Sequence, residues 1–407
     1  MARPQLPEPS PDALAASREL IERIAARIDA GGGWIGFDHY MRMALYEPRL
    51  GYYSGGSRKF GPAGDFVTGP ELSPIYGACI AAQCAAWFAE LPAQVLEFGA
   101  GTGALAAQVL NELARLGYPN VRYSIVELSA ELRERQLHTI TMLAPEMVGR
   151  VHWLDGMPAY VNGVVLGNEV LDAMPVRAFR LRDGQLMERG VAVRDGRFDW
   201  ADLPAGREFA ELVAALLAQA GWPRDDVVRR LVPGEGGPPP MSLDYRSEVP
   251  QTAVAWIDTL MSRLGRAAVL LIDYGFPARE FYHPQRGGGT LMCHYRHRAH
   301  DDPFFHPGLQ DITAHVDFSA IAHAAARGGA AWCAYTSQAR FLLNCGILDR
   351  LAKVPREDPV VYAPQAQAVQ KLLSESEMGE LFKVLAFGVG CDPHPLGFTL
   401  GDRSHTL

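Results

Sequence analysis

Apolar residues along this chain follow two rhythms. Short unbroken apolar runs recur at 94–98, 122–127, about 150–154, 163–167, 267–273, 330–336 and 382–388, and each fits a strand buried on both faces. Between several of them the apolar spacing changes to three and four, as in ALAAQVLNELARL after Gly103, which predicts amphipathic helices. Strand–helix alternation of this kind predicts an α/β fold, Rossmann-like, with a mostly parallel sheet covered by helices on both faces. Ligands of such sheets sit at the carboxyl ends of the strands. Ahead of the first strand, residues 12–30, the stretch FDHYMRMALYEP stopped by Pro48, and IYGACIAAQCAAWFAEL read as helices.

The rhythm breaks in two places. From Gly51 to Pro74 the chain turns to glycine, proline and aromatics, a long loop that can serve as a lid carrying Asp65 and Glu71 or simply as packed surface. From about 176 to 262 two Asp-Gly turns separate alternating segments, which predicts an antiparallel meander followed by helices at 206–220 and 250–264, with the low-complexity VPGEGGPPP between them. The resulting organisation is a flexible tail (1–11), an N-terminal helical region with the glycine and aromatic loop (12–90), a catalytic domain in two pieces (91–175 and 265–407), and an inserted α+β lobe (176–264), either a substrate element or a structural extension or dimer surface.

With 407 residues, 48% of them hydrophobic, the chain can bury a full catalytic core plus a second lobe. A net charge of -8 argues against a general nucleic-acid binder. No apolar run is long enough for a membrane span, and the proline-rich start lacks the pattern of a secretory signal. The six cysteines are scattered without metal or disulfide spacing and read as reduced thiols of a cytoplasmic protein.

Candidate chemistry begins where the first strand ends. The run QVLEF breaks into Gly99, Gly101 and Gly103 and then into a helix, so bare backbone and a helix N-terminus face whatever binds there. Glu127 ends the next strand, where a carboxylate can accept hydrogen bonds from both hydroxyls of a ribose. Read from Gly99 the turn is G-x-G-x-x-A, which suits a dinucleotide; read as E-x-G-x-G-x-G it suits S-adenosylmethionine. The second reading accounts for Glu97, an acid that would favour a cationic sulfonium or ammonium and repel a pyrophosphate. Asp155 after VHWL stands where an acid commonly meets an adenine amino group, although a plain Asp-Gly turn explains it equally well.

The fourth strand ends in Gly167-Asn168-Glu169-Val170-Leu171-Asp172. Glu169 and Asp172, three apart, would share a face of a helical turn and could clamp a cation, a planar guanidinium best of all. Acids in a first helical turn also arise from the dipole alone. Asp273-Tyr274-Gly275 closes the fifth strand at the same edge, and His315, ahead of a helix that Asp317 can cap, is the best single histidine for acid–base work. The spacing of His294, His297, His300, His306 and His315 matches no standard ligand set, so no metal is expected.

Taken together, FDHYMRMALYEPRLGYYS, GDFVTGPELSP, VLEFGAGTGALA, GNEVLDAMPV, LLIDYG and GTLMCHYRHR with DITAHVDF resemble the MidA-like methyltransferases, a family that includes a mitochondrial complex I assembly factor. The resemblance implies a class I methyltransferase fold with a seven-stranded sheet whose last strand is antiparallel, S-adenosylmethionine as donor, and a protein arginine as acceptor, symmetrically dimethylated, with a respiratory complex I subunit as one such target. It implies that Gly99, Gly101 and Gly103 form the donor turn together with Asn168 nearby, that Glu127 is the ribose acid, and that Glu169 and Asp172 are the acceptor acids. The residues alone do not choose arginine over another cationic acceptor. The start of the chain does not look like a mitochondrial presequence, which points to a bacterial-type cytoplasmic member. Two rivals remain open: methylation of a small molecule or another side chain, and an assembly chaperone that binds the donor only for stability.

Overall fold

Seven strands form at the apolar runs: β1 Gln94–Phe98, β2 Arg122–Val126, β3 Val151–Leu154, β4 Val161–Asn168, β5 Leu264–Phe276, β6 Trp332–Ser337 and β7 Phe382–Val389. The computed structural model describes residues 6–55, 68–222 and 244–407, so Asp65 and the segment VPGEGGPPP lie outside the described residues. The spatial order is β3-β2-β1-β4-β5-β7-β6. All neighbours run parallel except β7, which is antiparallel to β5 and β6. β5 outruns its apolar core because Gly275 and Phe276 pair with Val316 and Asp317.

The sheet is covered on both faces, as near-continuous apolar strands require. On one face Val95, Tyr123, Val164, Leu166, Leu270 and Ile272 pack with residues of helices Pro74–Trp87, Ala104–Arg115 and Gln338–Asn344. On the other, Leu96, Phe98, Val165, Val269 and Leu271 meet helices Gln251–Met261 and Phe318–Arg327. Neighbours in one strand thus point to opposite cores, the period of two seen in three dimensions. From β1 the chain moves outward to β2 and β3, then returns to place β4 on the other side of β1. That reversal opens a crevice at the carboxyl ends of β1 and β4. Gly99 and Glu169 follow those two ends directly.

The insertion begins with the meander that the Asp-Gly turns predict. Arg177–Arg182, Gln185–Arg194 and Arg197–Pro204 pair antiparallel through turns at Asp183-Gly184 and Asp195-Gly196, all four residues in the left-handed region. Asp244–Val249 extends this sheet on one side. The two-residue strand Ile35–Gly36 pairs with Gln185–Arg194 on the edge opposite Arg197–Pro204, so the N-terminal helices Pro11–Ala30 and Phe37–Tyr46 belong to the same layer as the insertion. One core joins them: Leu20, Ile24, Phe37, Tyr40, Val176, Val191 and Ile312 are all buried there. The Trp34 indole nitrogen donates to the Ala201 carbonyl at 2.9 Å, and Phe37 and Trp200 pack with ring centroids 4.7 Å apart.

Among the described residues, no helix is long and apolar enough to cross a membrane.

Candidate active site

The donor side is built by a turn that only glycine fits comfortably. Gly99, Gly101 and Gly103 take φ of 67°, 52° and 85°, the left-handed region that side chains disfavour. A Cβ on Gly99 would stand 2.7 Å from Val170 Cγ2, and one on Gly103 would stand 3.0 Å from Gln136 Cα. The turn delivers the chain into helix Ala104–Arg115, whose first amides have no partners of their own within the helix. Glu127, just past β2, accepts from the Ser129 amide through one carboxylate oxygen at 2.9 Å and from Gln136 Nε2 through the other at 3.1 Å. The same Gln136 nitrogen reaches the Gly101 carbonyl at 3.2 Å, while its oxygen accepts from Trp153 Nε1 at 2.8 Å. One buried amide therefore fixes the glycine turn and Glu127 relative to each other.

Glu97 is 1% exposed and accepts a hydrogen bond from the Tyr123 hydroxyl at 2.8 Å. Burial pushes its pKa up to about 7, against the pull of that hydrogen bond. Asp155 sits just past β3, its carboxylate 94% exposed and paired with Arg133 at 2.6 Å. Arg133 also donates to the carbonyls of Glu127 and Leu154, and so ties the ends of β2 and β3 together.

The candidate acceptor side is the turn after β4. Glu169 itself takes a left-handed φ of 54°, rare for a glutamate, while its amide continues the β4–β5 ladder to the Ile272 carbonyl at 2.8 Å. Its carboxyl is raised to about 8, first by burial and next by the negative charge of Asp172, with Glu71 and Asp311 adding to it and a hydrogen bond from Asn168 opposing. Asp172, 6% exposed, is pushed up by burial and held by the Tyr274 hydroxyl. Asp273 is driven well above the usual carboxylate range by burial and then by Asp172 and Glu169. It supports the turn mechanically, since one of its oxygens accepts from the Leu171 amide at 2.9 Å and the Asp172 amide at 3.3 Å.

Most of the residues named from sequence thus lie at the carboxyl ends of four neighbouring strands, β1 to β4. Asn168 has both ends of its amide engaged on the acceptor side, by Tyr76 at 2.6 Å and Glu169 at 3.0 Å. His315 stands one side chain removed from the acids: its ring lies edge-on to Tyr274 at 5.1 Å and stacks on Phe276 at 5.4 Å. Burial lowers its pKa to about 4, so it is neutral at pH 7. Glu71 lies in the short helix Gly69–Leu72, its carboxylate turned back toward the Thr68 amide at 3.4 Å. Sequence reasoning did not single out Tyr76, Tyr53, Gln136 or Asp311. Tyr53 donates to Asp311 at 3.0 Å and stacks on Tyr46, whose hydroxyl donates to the Ala173 carbonyl at 2.9 Å in the acceptor turn. These contacts span up to 258 residues of chain, and no local spacing signals them.

The family model described as "Putative S-adenosyl-L-methionine-dependent methyltransferase" matches residues 79–336, which hold the glycine turn, Glu127 and the acceptor turn. The chain belongs to this family. A Burkholderia thailandensis protein whose crystal structure contains S-adenosyl-homocysteine is 50% identical, with 99% of this chain and 100% of that chain covered and a TM-score of 0.89. A native crystal structure of a protein from the same organism is 49% identical over the same shares, with a TM-score of 0.86. Among curated proteins, the zebrafish (Danio rerio) mitochondrial protein arginine methyltransferase NDUFAF7 is 27% identical over 396 residues, covering 90% of this chain and 86% of its own. Its Drosophila melanogaster homolog is 28% identical over 414 residues, covering 94% and 88%. The protein is an S-adenosylmethionine-dependent methyltransferase of the class I fold. The left-handed glycine turn, the helix N-terminus and Glu127 fit the donor, and the dinucleotide reading of the turn falls away.

Proposed function

We propose that this enzyme methylates the guanidinium of an arginine in a partner protein, with Glu169 and Asp172 holding the guanidinium. The observation that carries the reading is the charge of the acceptor turn. Among the described residues, the charged groups that act most strongly on Glu169, namely Asp172, Glu71 and Asp311, are all carboxylates. Acids pressed together out of water hold their protons and await a cation. A guanidinium answers two carboxylates with parallel hydrogen bonds and resists deprotonation, which makes it the fitting guest.

Bound in the turn of Gly99, Gly101 and Gly103, S-adenosylmethionine supplies an electrophilic methyl carbon. Everything else falls to the chain. Glu127 is placed for the ribose, Asp155 for the adenine edge, and Glu97 for the cationic end of the donor. Glu169 and Asp172 draw the positive charge of the guanidinium toward the nitrogens they bind, which leaves the remaining nitrogen richer in electrons for an in-line attack. As the methyl carbon leaves the donor's sulfur, the methylated nitrogen sheds one proton, which an ionised carboxylate of this turn can take up. His315, neutral and bonded toward the Thr290 carbonyl, supports Tyr274 from behind.

The names of the curated relatives support an arginine acceptor. The layer shared by the N-terminal helices and the insertion, which reaches the acceptor turn through Tyr46, supports a protein substrate rather than a small molecule. A respiratory complex I subunit as target, and the cytoplasm as the setting, belong to the same proposal. The test is transfer of labelled methyl from S-adenosylmethionine to matched arginine and lysine peptides. Label on arginine alone, lost in Glu169→Gln while donor affinity holds, is the expected result. Label on lysine, or on neither with donor bound, contradicts the reading. Partner capture and cell phenotype that survive in Glu169→Gln would favour the chaperone view.

A further inference from the structure

Glu169 is held through a chain of side chains that starts on a separate helix. Tyr76, 1% exposed in helix Pro74–Trp87, donates from its hydroxyl to Asn168 Oδ1 at 2.6 Å, and Asn168 Nδ2 donates to Glu169 Oε1 at 3.0 Å. A primary amide has one accepting end and one donating end, so the partner of one end decides what the other offers. With the phenol proton directed at Oδ1, the NH2 group must face the acid, and an NH2 group favours a carboxylate over a protonated carboxyl. Remove the phenol and the amide is free to turn over. Its oxygen would then accept a proton kept on Glu169.

The surroundings of Glu169 give this amide particular weight. Asp172 faces it from its own turn, Asp273 from β5, Glu71 from helix Gly69–Leu72 and Asp311 from the strand Asp311–Thr313. Burial, Asp172, Glu71 and Asp311 press it to stay protonated, and among the described residues the Asn168 hydrogen bond opposes them. Tyr76 is itself a neutral phenol, its ionisation pushed far up by burial and by the charge of Glu169. Its ring has little room to move, since a Cβ on Gly69 would lie 2.9 Å from it. Gln108, on the helix that follows the glycine turn, donates to the Pro70 carbonyl at 2.6 Å and accepts from the Gly77 amide at 3.1 Å. The donor helix, the Tyr76 helix and the acceptor acid are therefore connected by directed hydrogen bonds.

We propose that Tyr76 is a positioning residue for Glu169: its hydroxyl sets the orientation of the Asn168 amide, and the amide keeps Glu169 ready to receive a cation. This rests on the acceptor role of Glu169 argued above, and the test separates the two. In full-length protein labelled with carboxyl-13C glutamate, the Glu169 resonance, assigned by its loss in Glu169→Gln, is titrated in wild type and in Tyr76→Phe. The midpoint moves up by about one pH unit in the variant, a tenfold change in proton affinity. The alkaline rise of kcat/KM for an arginine peptide moves with it, and donor affinity reports that the variant is folded. Asn168→Ser gives a shift in the same direction, and the double variant adds nothing further, because both act through one amide. An unmoved midpoint in Tyr76→Phe with donor binding intact overturns the proposal, and Asn168→Ser decides by the same midpoint if Tyr76→Phe fails to fold. A shifted midpoint in a protein that methylates no arginine peptide leaves the positioning role standing and removes the acceptor reading instead.

Discussion

At the scale of single residues, the acceptor site is a store of electrostatic tension. Glu169 keeps its proton to about pH 8 in the folded chain, against an ordinary value of 4.5. Below pH 4.5 it is protonated whether the chain is folded or not. Between 4.5 and 8 the unfolded chain releases this proton and the folded chain does not, so folding stability falls as pH rises, and above 8 the whole penalty is present. Glu169→Gln keeps the shape and removes the charge. Relative to wild type its stability gains about 1–3 kcal/mol on going from pH 5 to pH 8.5, read from denaturant midpoints at the two pH values. The same substitution removes one or two charge-assisted hydrogen bonds to the guest and lowers kcat/KM by about 10- to 1000-fold. In wild type kcat/KM climbs with pH through the region near 8, as the acids ionise to receive the guanidinium. A profile flat from pH 6 to 9 would mean that no carboxylate of this cluster controls binding.

Elements rather than residues place these groups. β1 and β4 are adjacent and parallel, and each ends in a turn with a left-handed residue, Gly99 in one and Glu169 in the other. The two turns touch, since Val170 Cγ2 is the atom that a Cβ on Gly99 would strike. Gly99→Ala therefore presses on the acceptor turn as well as on the backbone, and it lowers both donor affinity and kcat. Gly101→Val places a branched side chain on a left-handed residue of the proposed donor turn, and calorimetric titration should show donor binding lost. Undiminished affinity in Gly101→Val would take the turn out of the donor site. The strands themselves were legible in the sequence, because buried parallel strands are short apolar runs and the glycine turn follows one of them. The meander was legible for a related reason: its Asp-Gly turns need φ that few residues accept. What could not be read is which distant side chain meets which. Gln136, Tyr76 and Asp311 lie on helices or strands whose patterns announce burial but not a partner, and the pairing of Ile35–Gly36 with the insertion is too short to leave a periodic signal.

Across the whole molecule, the catalytic sheet and the layer of N-terminal helices plus insertion meet at the acceptor turn. Ala314 donates to the Asp172 carbonyl at 2.9 Å, Tyr46 reaches Ala173, and the Tyr40 hydroxyl donates to the Pro303 carbonyl at 2.7 Å. A chain cut between these parts would lose the walls of the site as well as stability. Because the donor binds only the folded chain, a concentration 100 times its Kd should raise the unfolding free energy by about 2.7 kcal/mol, measured as a shift in the denaturant midpoint. Glu127→Ala should remove most of that shift, since Glu127 is the carboxylate proposed for the ribose. The central claim, that the enzyme places methyl groups on a protein arginine, is tested most directly by mass spectrometry of the proteins of cells with and without it. At least one arginine should lose its guanidinium methylation with the enzyme and regain it with the wild-type chain but not with Glu169→Gln. Methylarginines unchanged by its removal, alongside a methylated lysine or small molecule that vanishes, would contradict it.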